Sequence, residues 1–124
     1  MKLIIAGSRT LYPDPGFITE CMCFFKIPHV NEVVSGTANG VDKAGEEWFD
    51  HINGVDDKIL TKLPADWGQY GKSAGHIRNA EMAAYADALL LIWDGESKGS
   101  ANMKLQMKKL NKPIYEVILK RYNE

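Results

Sequence analysis

The sequence is poor in the residues that cross-link small domains or hold structural metals. Among its 124 residues are two cysteines, Cys21 and Cys23, which stand too close together to link distant parts of a fold. The three histidines are scattered without the spacing of metal ligands. We therefore expect two reduced cysteines in the core, no metal site and no cofactor.

Long apolar runs and an excess of one charge are also missing. The run at residues 1–7 is far too short for a secretory signal, and no later run approaches the ~20 residues that a membrane span requires. We therefore expect a cytoplasmic protein without membrane contact. The formal net charge is -1, with acidic and basic residues mixed along the chain, so we do not expect nucleic acid as a partner.

What the sequence does contain is an alternation of short apolar runs and longer amphipathic segments. A hydrophobic content of 45% in a chain of this length is enough for one core, which predicts a single domain over residues 1–124. The alternation is typical of repeated β-α-β units. We therefore predict an α/β fold, a Rossmann-like open doubly wound sheet of about five mainly parallel strands with helices on both faces.

The spacing of apolar residues predicts each element. The predicted strands are Lys2–Ala6, Glu32–Ser35, Lys58–Leu63, Ala88–Trp93 and Ile114–Leu119. The predicted helices run from about Pro15 to Lys26, along Val41, Ala44, Trp48 and Ile52 up to Asn53-Gly54, along the small-residue stripe Ile77, Ala80, Ala83 and Ala84, and through Met103, Met107 and Leu110. The polar stretch Pro64–Gly75 is long for a connection and is a candidate lid.

Ligands of such sheets bind beyond the carboxyl ends of the strands, where the winding direction reverses. After the first predicted strand, Gly7-Ser8-Arg9-Thr10 offers a glycine for close backbone approach and an arginine whose planar donors suit phosphate. The alternative is a tight turn with a surface arginine. After the second strand, Ser35–Asp42 leads through two glycines into a helix start, whose unpaired N–H groups suit an anion. Alternatively, Asp42 only caps that helix.

Two further segments carry candidate ligand residues. Arg78 and Asn79 lie one turn into the third predicted helix, where a cation is unfavourable unless something negative lies beside it, so Arg78 is a ligand candidate. A second glycine-rich passage into a helix, residues 94–102, follows the fourth strand. Trp67, Tyr70 and Trp93 lie at or beyond strand ends and could stack against a base, although Trp93 could equally belong to the core. The dinucleotide and P-loop motifs of nucleotide-binding proteins are absent.

The loop motifs together resemble those of a known superfamily. Ser35-Gly36-x-Ala38-x-Gly40-Val41-Asp42 is similar to the S-G-x-A-x-G-[IV]-D stretch of the DNA-processing protein DprA. Gly7-Ser8-Arg9, Arg78-Asn79-x-x-Met82 and Gly99-Ser100 complete the set in order. The chain thus resembles the SLOG superfamily of Rossmann-like domains, which joins DprA with the LOG nucleotide phosphoribohydrolases, and within it the small YspA-like branch.

The resemblance implies a nucleotide-type or ribose-phosphate ligand and assembly as a homodimer or larger homo-oligomer. The residues that it implies as ligand contacts are Gly7, Ser8, Arg9, Ser35, Gly36, Arg78, Gly99 and Ser100. With the loop residues argued above, the predicted ligand-binding set also includes Thr37, Ala38, Gly40, Asp42, Trp67, Asn79 and Asp94. The apolar helix face of Phe17, Phe24 and Phe25 independently favours self-association.

The sequence departs from the LOG enzymes at one position that matters for catalysis. Their glycine-rich stretch P-G-G-x-G-T-x-x-E ends on an active-site glutamate, where this chain has Met103. We therefore expect a module that senses or sequesters a nucleotide-derived molecule, such as an ADP-ribose-like or signalling nucleotide. The alternative is a LOG-like N-glycosidic hydrolase of nucleoside phosphates, in which Arg78 holds the phosphate and Asp94 or Glu96 replaces the glutamate. DprA-like binding of single-stranded DNA is the weakest hypothesis, because acidic and basic residues are balanced along the chain.

Overall fold

The computed structural model of the chain describes residues 1–52 and 58–120, which form one parallel sheet with helices on both faces. The strands are β1 (Lys2–Gly7), β2 (Glu32–Ser35), β3 (Ile59–Lys62), β4 (Ala88–Trp93) and β5 (Ile114–Ile118). Their order in the sheet is β3-β2-β1-β4-β5, and every neighbouring pair is parallel. The prediction of a Rossmann-like doubly wound α/β fold is confirmed.

The two central strands, β1 and β4, are apolar along nearly their whole length because they are covered on both faces. In β1, Leu3 and Ile5 join one core cluster, while Ile4 and Ala6 join the other. The first cluster packs under the helices α1 (Pro15–Phe24) and α2 (Val41–Ile52). The second packs under α4 (Ala74–Tyr85) and α5 (Lys98–Lys109). The short helix α3 (Trp67–Tyr70) and a 3-10 turn at Gly71–Ser73 connect β3 to α4.

The winding direction reverses between β1 and β4, so a crevice opens beyond their carboxyl ends. The backbones approach closely there. A side chain on Gly7 would overlap the carbonyl oxygen of Ile92 on β4. Glycine at this position therefore lets the first loop leave β1 directly across the end of β4.

Several details of the sequence-based predictions were wrong. In α4 the small-residue stripe is only partly buried: Ala83 is buried, but Ala80 and Ala84 are exposed. The inward positions are taken by Asn79 and Met82, because the Asn79 amide bonds to the start of α5. The stretch Pro64–Gly75, predicted as one polar connection, carries α3, the 3-10 turn and the first residues of α4.

Several residues that were predicted for the core or for an apolar helix face are exposed. Cys21 is buried and Cys23 is exposed, and both are free thiols. Leu110 follows the last turn of α5 and is exposed. Phe24 is 80% exposed at the end of α1, so self-association through this face stays a prediction. The predicted helix end at Asn53-Gly54 lies outside the described residues. None of the helices in residues 1–52 and 58–120 has the length and apolar character of a membrane span.

Lys112 caps the carboxyl end of α4 from the turn before β5. Its Nζ donates to the carbonyl oxygens of Ala83 at 2.7 Å, Ala84 at 3.1 Å and Ala86 at 2.7 Å. These carbonyls have no partner within the helix, and a cation at this end also suits the helix dipole. We expect Lys112→Met to lower the free energy of unfolding by about 1–2 kcal/mol, measured by urea denaturation. The exposed Lys109→Met is the control, and an equal loss in both variants would contradict the capping role.

Candidate functional site

Two adjoining depressions lie beyond the carboxyl ends of β1, β2 and β4. The inner cavity has a volume of about 140 Å³ and is lined by Ala6, Gly7, Arg9, Ala38, Asp42, Arg78, Asn79, Met82, Ser97, Gly99, Ser100 and Met103. The outer cleft has a volume of about 370 Å³ and is lined by Arg9, Gly36, Thr37, Ala38, Asn39, Pro64, Ala65, Trp67 and Arg78. Both include Arg9 and Arg78, so the structure brings the two predicted arginines to one place.

The first turn of α5 forms one wall of the inner cavity. Ser97 caps the helix, because its Oγ accepts from the Ser100 N–H at 3.4 Å. Gly99 is exposed, and a side chain there would meet nothing within 4 Å. The first N–H groups of a helix lack intrahelical partners and carry the positive end of the dipole. This wall therefore favours a negatively charged group.

Ser100 supplies a second, independent indication of a ligand. The residue is 4% exposed, and its Oγ has no hydrogen-bond partner among the described residues. Buried polar atoms nearly always have a partner, because leaving one unpaired costs free energy. A hydroxyl without a protein partner beside a helix start therefore marks a position for a polar ligand atom.

Arg78 also lines the inner cavity. Its Nη1 donates to the carbonyl oxygen of Gly36 and its Nε donates to Asn79 Oδ1 at 3.0 Å. Burial lowers the pKa of Arg78, and nearby Arg9 adds to this effect while Asp42 opposes it. The guanidinium plane is thus fixed by two acceptors in a partly dry setting. A second cation nearby makes an anionic ligand more favourable.

Asp42 is the acidic group of the inner cavity. It is 4% exposed, and its Oδ2 accepts from the Ala38 N–H at 3.2 Å. Burial raises the pKa of Asp42 to about 6, although the backbone N–H groups of Ala38 and Gly7 and the charge of Arg78 act in the opposite direction. Asp42 therefore accepts from N–H groups of two loops, whereas the alternative interpretation had it cap the first turn of α2, and it also changes charge near neutral pH inside the cavity.

The loop from Ser35 to Gly40 has little freedom. A side chain on Gly36 would come within 2.7 Å of Arg78 Nη1 and 2.8 Å of Asp42 Oδ2. Thr37 has a positive φ of 63° and Gly40 one of 77°. Ser35 lines neither depression: its Oγ accepts from the Thr37 N–H at 3.1 Å and donates to Glu46 Oε2 at 2.7 Å. Ser35 therefore supports the loop and does not face either depression.

Two other predicted ligand residues, Ser8 and Asn79, bond to protein groups, and of the two only Asn79 lines the inner cavity. Ser8 is buried, and its Oγ accepts from the Asp94 N–H at 3.0 Å. Asn79 donates from Nδ2 to Asn102 Oδ1 at 3.0 Å and to the carbonyl oxygen of Gly99 at 3.3 Å. Asn79 thereby ties α4 to the start of α5 and sets the distance between Arg78 and Ser100.

The predicted catalytic carboxylates are not brought to Arg78. Asp94 and Glu96 line a separate depression together with Thr10, Leu11, Gly95, Ile118 and Lys120. Asp94 Oδ1 accepts from the N–H groups of Glu96 at 2.8 Å and Ser97 at 2.9 Å, and these bonds lower the pKa of Asp94. Asp94 thus organises the turn before α5. Within the described residues, no three His, Cys, Asp or Glu side chains cluster to hold a metal.

The aromatic candidates have different surroundings. Trp67 is 53% exposed and lines the outer cleft, where a planar group could stack on it. Tyr70 lines a neighbouring depression, which shares Pro64 and Arg78 with the outer cleft. Trp93 belongs to the core, and its Nε1 donates to Glu116 Oε2 at 2.8 Å.

Sequence reasoning did not find every residue that forms the site. Ala6 and Ser97 line the inner cavity but carried no motif of their own. Glu46 holds the loop through Ser35 and was not predicted at all. The available signal was its spacing: Glu46 follows Asp42 by one helical turn and so shares its face of α2.

Comparisons with known proteins add one relative. The chain is similar to the Gene 61 protein of Mycobacterium phage D29. The two are 29% identical over 117 residues, which are 91% of this chain and 93% of that protein. No family model matches the chain. No solved structure matches it either. The relative's name states no activity, so the function must be argued from the site.

Proposed function

We propose that this protein binds a nucleotide-derived or ribose-phosphate small molecule, as a cytoplasmic sensor or sequestering module of the SLOG type. The phosphate lies in the inner cavity, and the rest of the molecule lies in the outer cleft. The observation that carries this proposal is the unpartnered, buried hydroxyl of Ser100, in a cavity that also contains Arg78 and the start of α5.

The size and charge of the two depressions support this division. Small-molecule ligands usually occupy pockets of roughly 300–1,000 Å³. At about 140 Å³, the inner cavity accepts one group of such a ligand, and the adjoining cleft of about 370 Å³ accepts the remainder. Arg9 and Arg78 outnumber Asp42 in the inner cavity, which favours an anion there.

The test compares phosphorylated and unphosphorylated partners of the same ligand. AMP, ADP-ribose and ribose 5-phosphate should raise the melting temperature, whereas adenosine and ribose should not. Ser100→Ala should weaken binding of the best ligand about 5- to 10-fold, because one hydrogen bond to phosphate is lost. Its unliganded stability should not fall, since the hydroxyl has no protein partner. The exposed Ser73→Ala is the control. Absence of a shift with every phosphorylated probe would overturn the proposal.

A hydrolytic function keeps one supporting observation. The carboxyl group in the inner cavity is Asp42, and a pKa of about 6 suits a general acid or base near neutral pH. We therefore propose N-glycosidic hydrolysis as the second candidate, with Asp42 in place of Asp94 or Glu96. Chromatographic detection of free base separates the candidates: release supports hydrolysis, and intact nucleotide with proven binding leaves the binding module.

A further inference from the structure

Glu46 is a buried carboxylate in the second turn of α2, outside both depressions. It is 8% exposed, and burial of a carboxylate is unfavourable unless its oxygens accept hydrogen bonds or face cations. Its Oε2 accepts from Ser35 Oγ at 2.7 Å. Its Oε1 lies 3.5 Å from Lys62 Nζ and 3.9 Å from Lys43 Nζ. The carboxylate is therefore tied to the end of β2.

The contact with Ser35 continues into the loop. A serine hydroxyl has one proton, and here Glu46 accepts it, which leaves the lone pairs of Ser35 Oγ for the Thr37 N–H at 3.1 Å. Thr37 has a φ of 63°, a region that is unfavourable for a β-branched residue and persists only when its surroundings hold it. The Glu46–Ser35 pair supplies that restraint.

The residue between Ser35 and Thr37 is the one that Arg78 contacts. Arg78 Nη1 donates to the carbonyl oxygen of Gly36, so the direction of this carbonyl determines where the guanidinium points. Asp42 holds the same loop at Ala38, one helical turn from Glu46. Two carboxylates on one face of α2 thus hold the two halves of the loop.

We infer that Glu46 is a positioning residue for Arg78: through Ser35 and the strained Thr37 it fixes the Gly36 carbonyl, and thereby orients the guanidinium toward the inner cavity. The consequence for phosphate binding rests on the proposed function. The orientation of Arg78 does not rest on the proposed function, because all the contacts from Glu46 to Arg78 lie within the protein.

The first measurement needs no ligand. In nitrogen-15 spectra, the Nη–H signals of Arg78, which include the group that donates to the Gly36 carbonyl oxygen, are assigned with Arg78→Lys and followed in Glu46→Ala, Ser35→Ala and Glu46→Gln. Glu46→Ala and Ser35→Ala should shift the Nη–H signals and speed their hydrogen exchange about tenfold or more, because Nη1 loses its fixed acceptor at Gly36 while Nε keeps its acceptor on Asn79. Glu46→Gln should keep the wild-type signal, since its amide oxygen still accepts from Ser35. Lys43→Ala, at the 3.9 Å contact with the same carboxylate, is the control and should change nothing.

The second measurement is calorimetric titration with AMP. Its dissociation constant should rise about tenfold in Glu46→Ala and Ser35→Ala, and stay within about twofold in Glu46→Gln and Lys43→Ala. An unchanged Arg78 signal in both disruptive variants overturns the inference, whatever AMP does. If the wild-type protein binds none of AMP, ADP-ribose and ribose 5-phosphate while the signal responds as expected, the proposed function falls and the positioning role stands. If Glu46→Ala does not fold, Ser35→Ala, which loses only one oxygen atom, decides the matter.

Discussion

Arg78→Met is expected to weaken AMP binding about 100-fold. A charge-assisted, fork-shaped contact to phosphate in a partly dry cavity contributes about 3 kcal/mol, which corresponds to that factor. Arg78→Lys keeps the charge but loses the planar fork and the bond to the Gly36 carbonyl, so we expect an intermediate loss of about tenfold. Calorimetric titration gives both values.

The control for Arg78 is Arg9→Met. Arg9 is exposed and lines the same cavity from the first loop, so solvent screens its charge and the loss of affinity should be several times smaller. Unliganded Arg78→Met should remain folded, because burial already disfavours the charged guanidinium. Affinity within about twofold of wild type in Arg78→Met would contradict a phosphate site at this position.

Asp42 should make the stability of the unliganded protein fall as the pH rises. Its pKa moves from 3.8 in the unfolded chain to about 6 in the folded protein, so between these values the folded state holds more protons. The favourable contribution is complete below pH 4 and is lost as the pH rises through 6. This difference in the pKa of Asp42 corresponds to a change of about 3 kcal/mol in the free energy of unfolding. In Asp42→Asn this loss should be absent.

Urea denaturation between pH 4 and 7.5 measures the free energy of unfolding of wild type and of Asp42→Asn. Taking the difference between the two cancels the contributions of the other titrating groups. Asp50→Asn, an exposed carboxyl of the same helix, controls for the loss of one negative charge.

Sulfate keeps its charge over this range, so its binding to wild type should tighten as Asp42 becomes protonated and should be independent of pH in Asp42→Asn. A constant difference in stability across the range would refute the assignment to Asp42.

The centre of the fold could be predicted well because its strands are short and β2 and β4 are buried along their whole length. Glu32–Ser35 and Ala88–Trp93 were predicted with the bounds that the structure has. For Ala88–Trp93, a continuous apolar run between polar residues leaves little choice. The inward face of α4 could not be predicted. Apolar spacing favoured the alanines, but a tertiary hydrogen bond from Asn79 to α5 turns the helix so that Ala80 and Ala84 face outward.

The sequence predicted that Arg9 and Arg78 lie at one crevice, and the structure has them there, but it did not predict which residues hold the loops of the candidate site. Parallel strands fix where loops converge, which is why Arg9 and Arg78 could be placed together. Local spacing does not reveal which loop residues face the cavity. Ser35 and Ser8 turn inward to bond protein groups, and Asp94 accepts N–H groups of its own turn. The burial of Glu46 could not be predicted, because a charged side chain in the middle of a helix is buried only when other elements supply its partners.

The most direct test of a phosphate site between Arg78 and α5 is a nitrogen-15 NMR titration with AMP, run beside one with adenosine. We expect AMP to shift the amide signals of Gly99 and Ser100 and the Arg78 Nε–H signal in a saturable way. Adenosine at the same concentrations should leave these three signals in place. Saturable shifts confined to other parts of the protein, or no shift with AMP, would contradict the account.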